Sequence, residues 1–450
     1  MISSLVDLAR RSLRWRWHLH SSRRLRPGAS RHVDALLALT VAGLLGGATG
    51  AAQAVPSYAR QTGMDCTGCH VGAFGPQLTP AGMMFKLTGY TDTDGKAGKI
   101  PLSGMIVGSW THTAKPQDPP PDHLRANNNT ALDEASLFVA GRFSDHIGAF
   151  VQITYDGVGH TVALDQTDIR YAGITQLFGR ETVVGVTLNN NPGVQDPFNS
   201  TPVWSYPYIE SPAGFGTGDA ATLVNGGLEG IVVGASAYAL WDKTVYAELG
   251  SYRSMSPSLQ SNLGLGRDPQ RLRGNAYGRL AWTQDLKSQA WHVGVLGWSA
   301  RLQPDRDAGG PADNYRDLGL EGGYQYLGTR RHIFTANASL IRELKTEGGS
   351  GLRSNLTESR LNGSYNFAQT WGVSSGWFAT RGSDPTAATR GALWQVDWTP
   401  WGKEDIAAPA PFGWANLRLG AQFWRYSRFA GETAGASDHN TFSLFAWSSF

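Results

Sequence analysis

Two cysteines in 450 residues exclude a disulfide framework. Charged residues make up only 17% of the chain, below the roughly 25% of an ordinary soluble protein, so neither a long solvated helix nor a disordered tail fits. The missing charge is not replaced by greasy runs. Beyond the first 54 residues no segment offers the ~18 uninterrupted apolar residues of a membrane helix, and mean hydropathy is negative. No Ser/His/Asp arrangement, P-loop or dinucleotide fingerprint stands out. What is abundant is glycine, with 56 residues, and tryptophan, with 16. Polarity in such a chain has to be spread by alternation.

The formal charge of +3 divides unevenly. Residues 1–54 hold eight arginines against Asp7 and Asp34, a surplus of +6, which leaves −3 for the remainder. No basic nucleic-acid-binding surface is implied, and nucleic acid is not an expected partner. The arginines precede an apolar run from Ala35 to Gly47, followed by Ala52-Gln53-Ala54, the small-x-small pattern of signal-peptidase cleavage. Residues 1–54 read as a signal peptide cut after Ala54, with ordinary secretion favoured over folded export. The mature chain is expected outside the cytoplasm.

Cys66-Thr67-Gly68-Cys69-His70 uses both cysteines in the C-x-x-C-H pattern of c-type haem attachment. Thiols two residues apart can form thioethers with the two haem vinyl groups, and the adjacent histidine then lies under the iron as proximal ligand. A thioredoxin-type dithiol needs a surrounding βαβ pattern, and a zinc site needs a second ligand pair; neither is present. One covalent haem c is therefore expected on Cys66, Cys69 and His70. The distal ligand is left among Met64, Met83 and Met84, with Met105, His112 and His123 as further candidates or an open position.

The flanking text runs from Val55 to Cys66 through Ala59-Arg60-Gln61-Thr62-Gly63, and from His70 to Tyr90 through Phe74, Leu78, Gly82 and Phe85-Lys86-x-x-Gly89-Tyr90. This segment resembles the haem segment of the outer-membrane monohaem cytochrome–porin fusions, the family that includes iron-oxidising bacterial cytochromes. Where such proteins often carry a basic residue after the glycine equivalent to Gly82, this chain has Met83. The resemblance implies electron transfer through a haem held in a porin-like barrel, with Fe(II) as the implied donor. Beyond residue 90 the likeness is one of architecture.

Residues 55–98 are too few to wrap a haem with an independent core. From residue 99 onward, alternating segments of 9 to 14 residues are separated by turn clusters, with almost no helical periodicity. Sixteen strand starts fall near Leu102, Ala135, Gly148, Ala163, Thr182, Gly227, Thr244, Arg273, Trp291, Tyr315, Ile333, Asn355, Trp371, Gly391, Ala415 and Thr441. Links alternate short and long, as the periplasmic turns and external loops of outer-membrane barrels do; Pro400 to Gly413 is a long exception. Gln166, Asp168 and Arg170 share one strand face and Ile169 and Tyr171 the other, which sends polar residues inward. Trp110, Tyr155, Tyr171, Trp282, Trp298, Trp394, Trp398 and Trp424 suit interfacial girdles. Phe442, Leu444 and Ala446 alternate before the terminal Phe450. Acidic Asp196, Asp219 and Asp313 could attract cations, but solvated loop residues are the preferred reading.

The expected architecture is all-β: a transmembrane antiparallel β-barrel of about 16 strands over 99–450, preceded by the c-type haem segment 55–98, in the bacterial outer membrane. The function this implies is an electron conduit between an extracellular donor and a periplasmic electron carrier, with outer-membrane lipid around it. A diffusion porin with a haem-bearing plug or sensor is the alternative. A soluble periplasmic haem enzyme is a third. Asn190 to Asn225 is a long loop for which folding into the lumen is conjectured.

Overall fold

The computed structural model describes residues 56–201, 204, 206–226, 228–402 and 415–450. The expected signal peptide, residues 1–54, and the expected cut after Ala54 lie outside the described residues. Three short helices come first: α1 (Pro56–Thr62), α2 (Cys66–Cys69) and α3 (Pro80–Leu87). Strands β1 (Leu102–Thr113), β2 (Asn129–Arg142), β3 (Ile147–Asp156), β4 (Thr161–Leu177) and β5 (Arg180–Asn189) follow. After a long connection come β6 (Val232–Trp241), β7 (Val245–Ser254), β8 (Arg271–Asp285), β9 (Gln289–Gln303), β10 (Asp313–Tyr326) and β11 (His332–Thr346). The last five are β12 (Arg353–Phe367), β13 (Trp371–Gly382), β14 (Arg390–Trp398), β15 (Asn416–Arg428) and β16 (Thr441–Ser449).

Each strand pairs antiparallel with its neighbours in sequence, and β1 pairs with β16 from Met105↔Ser449 to Thr113↔Thr441, so the sheet closes into a sixteen-stranded barrel. Closure leaves no edge whose amides lack partners, which is the condition for β-structure in hydrocarbon. Phe450 exchanges backbone hydrogen bonds with Gly104 and lays its ring where a Cβ on Gly104 would stand, so the terminal aromatic locks the seam.

Side-chain alternation follows the closed sheet. On β4, Asp168 and Arg170 are fully buried while Tyr171 is 58% exposed; on β7, Tyr246 and Glu248 point inward and Leu249 is 75% exposed. On β15, Asn416, Arg418 and Gln422 are buried opposite exposed Leu419 and Phe423. Leu280, Leu318, Leu361 and Val396 continue the outward apolar belt. Facing water, each such side chain forfeits ~25 cal/mol per Å² of apolar surface. Surrounded by lipid tails it forfeits nothing, and the belt makes this a transmembrane barrel.

Several sequence expectations change. The sixth strand starts at Val232 rather than near Gly227, because Leu228 and Ile231 belong to an apolar lumen cluster with Leu223, Val224, Tyr252, Leu302 and Trp298. Trp298 and Trp424 are not girdle residues. Their even positions on β9 and β15 turn them inward, where each is 3% exposed. Asp196 is fully buried against Arg279 at 2.6 Å, and Asp313 is 7% exposed and paired with Lys345 at 3.0 Å, so neither is a solvated loop carboxylate; Asp219 is exposed. Of the long link between β14 and β15, residues 403–414 lie outside the described residues; among the described residues the barrel has sixteen strands.

Two segments occupy the lumen. Residues 56–98 fill the short-turn end. The connection from β5 to β6, residues 190–231, folds inward as conjectured: Val194, Gln195, Asp196 and Leu228 have no exposed surface. Its far part is held by strand carboxylates that accept backbone N–H groups, Leu223 to Glu343 (2.7 Å), Val224 to Asp317 (2.8 Å) and Thr222 to Glu358.

Candidate functional site

The C-x-x-C-H run forms the single turn α2 and the residue that closes it. The His70 amide donates to the Cys66 carbonyl at 2.8 Å, which puts Cys66, Cys69 and His70 on one turn. The chain then doubles back: Val71 N donates to Gln77 O at 3.0 Å, and His70 and Leu78 form an antiparallel bridge. Thr79 ends this hairpin and starts the next helix. Its hydroxyl caps α3 by accepting from the Gly82 amide (3.3 Å) and donates to the Gly68 carbonyl (2.7 Å), while its own N–H donates to Cys69 O (2.9 Å). Thr-Pro at this point is an N-cap followed by a proline at the first helical position, where no N–H is missed. Gly82 is required by close approach, since a Cβ there would stand 2.3 Å from the Cys69 carbonyl oxygen.

The barrel wall grips this segment from several sides. Tyr58 OH donates to Ala149 O at 2.7 Å, and Tyr90 OH donates to Asp168 Oδ2 at 2.7 Å. Tyr238 OH donates to Leu87 O at 2.7 Å, Gln325 Nε2 to Leu78 O at 2.6 Å and Arg330 Nη1 to Thr67 O at 3.2 Å. Arg418 Nη2 donates to the carbonyls of Gly72 (2.6 Å) and Phe74 (2.7 Å), with its guanidinium over both the Phe74 and Trp447 rings. Lys86, 5% exposed, ties this plug to the inward loop: its ammonium donates to Val194 O (2.7 Å) and Asn199 Oδ1 (2.8 Å) over the Trp204 ring. Asn199 in turn donates to Pro76 O at 2.7 Å. Burial away from water lowers Lys86 to about 7.

Cys66 packs with Phe74, Val107, Phe445 and Trp447, with Met105 against the same cluster. The cysteines are not joined in a disulfide. Burial, aided by Asp92, pushes the Cys69 thiol up to about 11, the opposite of the low values that activate redox dithiols. Among the described residues no group of three His, Cys, Asp or Glu side chains could hold a bare metal ion. The His70 ring is half-buried, its Nδ1 is wholly buried without a hydrogen-bond partner, and burial holds its imidazole down at about 4. A neutral imidazole next to Cys69, on the one turn that carries both cysteines, fits the donor set of haem c.

The distal candidates separate. Met83 belongs to a different apolar cluster, with Leu87, Val183, Tyr238, Leu240, Tyr246 and Ala281, and Met84 packs on it. Met64 is half-buried just ahead of α2. His112 bonds Asn128 and stacks on Trp110, and His123 stacks on His160 at 4.2 Å, both near the long-loop end and away from α2. Met105 is the methionine brought to the Cys66 cluster. Sequence reading missed Arg418 and Lys86 as holders of the segment, because their partners are backbone carbonyls that no motif encodes.

No protein-family model matches the sequence, and no curated protein is similar to it. Among solved structures it is similar to OmpF of Salmonella typhi, at 10% identity over 78% of this chain and 98% of that one, with a TM-score of 0.46. It is also similar to an anion-selective porin from Comamonas acidovorans, at 11% identity over 77% and 98% with a TM-score of 0.45. The outer-membrane channel DcaP of Acinetobacter baumannii aligns at 11% identity over 78% and 97%, with a TM-score of 0.46.

Proposed function

We propose that this chain is an electron conduit of the bacterial outer membrane. The observation that carries the reading is the enclosure of the Cys66–His70 turn in the lumen, walled by the barrel at the short-turn end and covered by the inward loop on the other side. Cys66 and Cys69 would hold haem c by thioethers and His70 would take the proximal position. Bound there, the haem supplies a one-electron carrier inside a wall that otherwise insulates two aqueous spaces. The chain's own residues do the rest. Arg418 fixes the hairpin after His70, Phe74 and Trp447 keep water from Cys66, and the Lys86–Asn199 pair holds the covering loop against the segment. A periplasmic carrier meets the short-turn end and a donor the long-loop end, with Fe(II) the donor class the family resemblance suggests.

A diffusion porin whose lumen segment is a plug is the second reading, and the sixteen-stranded barrel with an inward loop is what favours it. Two measurements divide them. Haem staining of fractionated membranes from wild type and Cys69→Ala should show covalent haem lost while the heat-modifiable barrel band stays. In proteoliposomes enclosing an electron acceptor, external Fe(II) or dithionite should reduce that acceptor only with the haem-loaded wild type. Solute swelling without electron arrival would overturn the conduit and leave the porin.

A further inference from the structure

The lipid-facing surface carries charge of one sign at one end. Near the long-loop ends of β9, β10, β11, β13, β14 and β15 stand Arg301, Arg316, Arg342, Arg381, Arg390 and Arg425, all exposed. Alternation places them on the outer face: Arg316 shares it with Leu318 and Leu320, Arg381 with Trp377, and Arg425 with Phe423. The registers join them into one series. Arg301 pairs with Asn314 and Arg342 with Leu318, so Arg316 is a diagonal neighbour of both. Arg342 and Arg381 both pair with Thr357, from opposite sides, and therefore flank it at one level, ~10 Å apart across two strand spacings. Arg390 pairs with Ala379 and Arg425 with Ala392, which continues the diagonal.

Nothing on that surface neutralises them. The carboxylates of these strands and of β12, among them Asp317, Glu321, Glu343, Glu358 and Asp397, are buried on the lumen side, and among the described residues none of the six arginines forms an ion pair. At the short-turn end, by contrast, Arg180 is paired with Asp242 at 3.6 Å and Lys243 with Glu181 at 3.2 Å. Ordinary interfacial anchoring would ring the barrel, yet β1 to β6 and β16 carry no outward arginine at their long-loop ends.

We propose that this half-girdle binds the phosphate groups of a phosphorylated glycolipid in the leaflet crossed by the long loops. Guanidinium forks match phosphate oxygens bidentately and are less costly to dehydrate than ammonium groups. Arg342 and Arg381 bracket one phosphate with the Thr357 hydroxyl between them, above acyl chains lying on the apolar belt. The inference rests on the transmembrane barrel and is independent of the haem reading.

The test is native mass spectrometry of the folded chain in detergent, titrated with bisphosphorylated lipid A, its dephosphorylated form and phosphatidylglycerol, with inorganic phosphate as competitor. The wild type should retain bisphosphorylated lipid A at least tenfold more tightly than either other lipid, and millimolar inorganic phosphate should not displace it. Arg342→Gln/Arg381→Gln should lose that preference, while Arg180→Gln/Lys243→Gln keeps it; heat-modifiability reports that both variants fold. Equal retention of the dephosphorylated lipid, equal retention of phosphatidylglycerol, displacement by inorganic phosphate, or an unchanged preference in the Arg342/Arg381 variant would each overturn the proposal. Should that double variant fail to fold, Arg390→Gln/Arg425→Gln carries the same expectation at the neighbouring position.

Discussion

Arg418 offers the most quantitative check on how the Cys66–His70 hairpin is held. Replacing it with alanine removes two charge-assisted hydrogen bonds, to the Gly72 and Phe74 carbonyls, and a guanidinium stacked 4.8 Å from the Phe74 ring centroid and 5.3 Å from that of Trp447. With ~1.5 kcal/mol for each bond and ~1 kcal/mol for the stacking, the hairpin should loosen by roughly 4 kcal/mol. At 1.4 kcal/mol per decade this is roughly a thousandfold rise in the open population. The barrel should not follow, because the β15 ladders to β14 and β16 are backbone bonds that the substitution leaves in place. Hydrogen exchange read by mass spectrometry resolves the two: peptides from 66–79 should exchange some three orders of magnitude faster in Arg418→Ala, with strand peptides unchanged. Arg418→Lys should show an intermediate effect, since one ammonium cannot reproduce the fork. Unchanged protection over 66–79, or equal loss across the strands, would refute the idea that the wall clamps a separable plug.

Gly82→Ala should weaken the α2–α3 contact by ~1–3 kcal/mol, because its methyl meets the Cys69 carbonyl; faster protease cleavage between 66 and 90 with an intact barrel band is the expected readout. Burial alone would raise the Asp196 carboxyl, but Arg279 and Lys86 outweigh it and hold the group below the usual carboxylate range. The folded value is thus lower than the unfolded one, so its contribution to loop docking is full above about pH 4 and falls away as pH drops through the range below. Single-barrel conductance should rise on acidification below about pH 4 in the wild type and be already high and flat there in Asp196→Asn; a flat wild-type profile would contradict the role. In haem-loaded protein, Met83→Leu should leave the ferric and ferrous absorption spectra unchanged, since Met83 packs in the Leu87–Tyr246 cluster; an altered ligand-field spectrum would place it on the iron.

The barrel was largely legible because a wall with lipid on one side and a packed lumen on the other imposes a period of two on every strand, and fourteen of sixteen starts fall within two residues of those expected, the exceptions being β2, which starts at Asn129 rather than near Ala135, and β6. The sixth strand is informative. Leu228 and Ile231 look like a strand start because they are apolar, but they are buried inside the lumen rather than in the wall. The same blind spot hid Asp196: charges in a connection normally meet water, and only the closed wall brings Arg279 to it. Trp298 and Trp424 were assigned from their place near strand ends, whereas parity decides which side a ring occupies. The motif residues could be read from spacing alone, and their holders could not, since Arg418 lies 346 positions from the carbonyl of Gly72 that it grips.

The seam between the first and last strands sets an order of events. Arg418, Phe445 and Trp447, which shut Cys66 and the following hairpin away from water, belong to β15 and β16, the strands that close the barrel onto β1. Until β16 docks, the Cys66 thiol lies open, and afterwards it is enclosed, with Cys69 half-buried beside it. Any covalent chemistry at Cys66 would therefore have to precede closure of that seam.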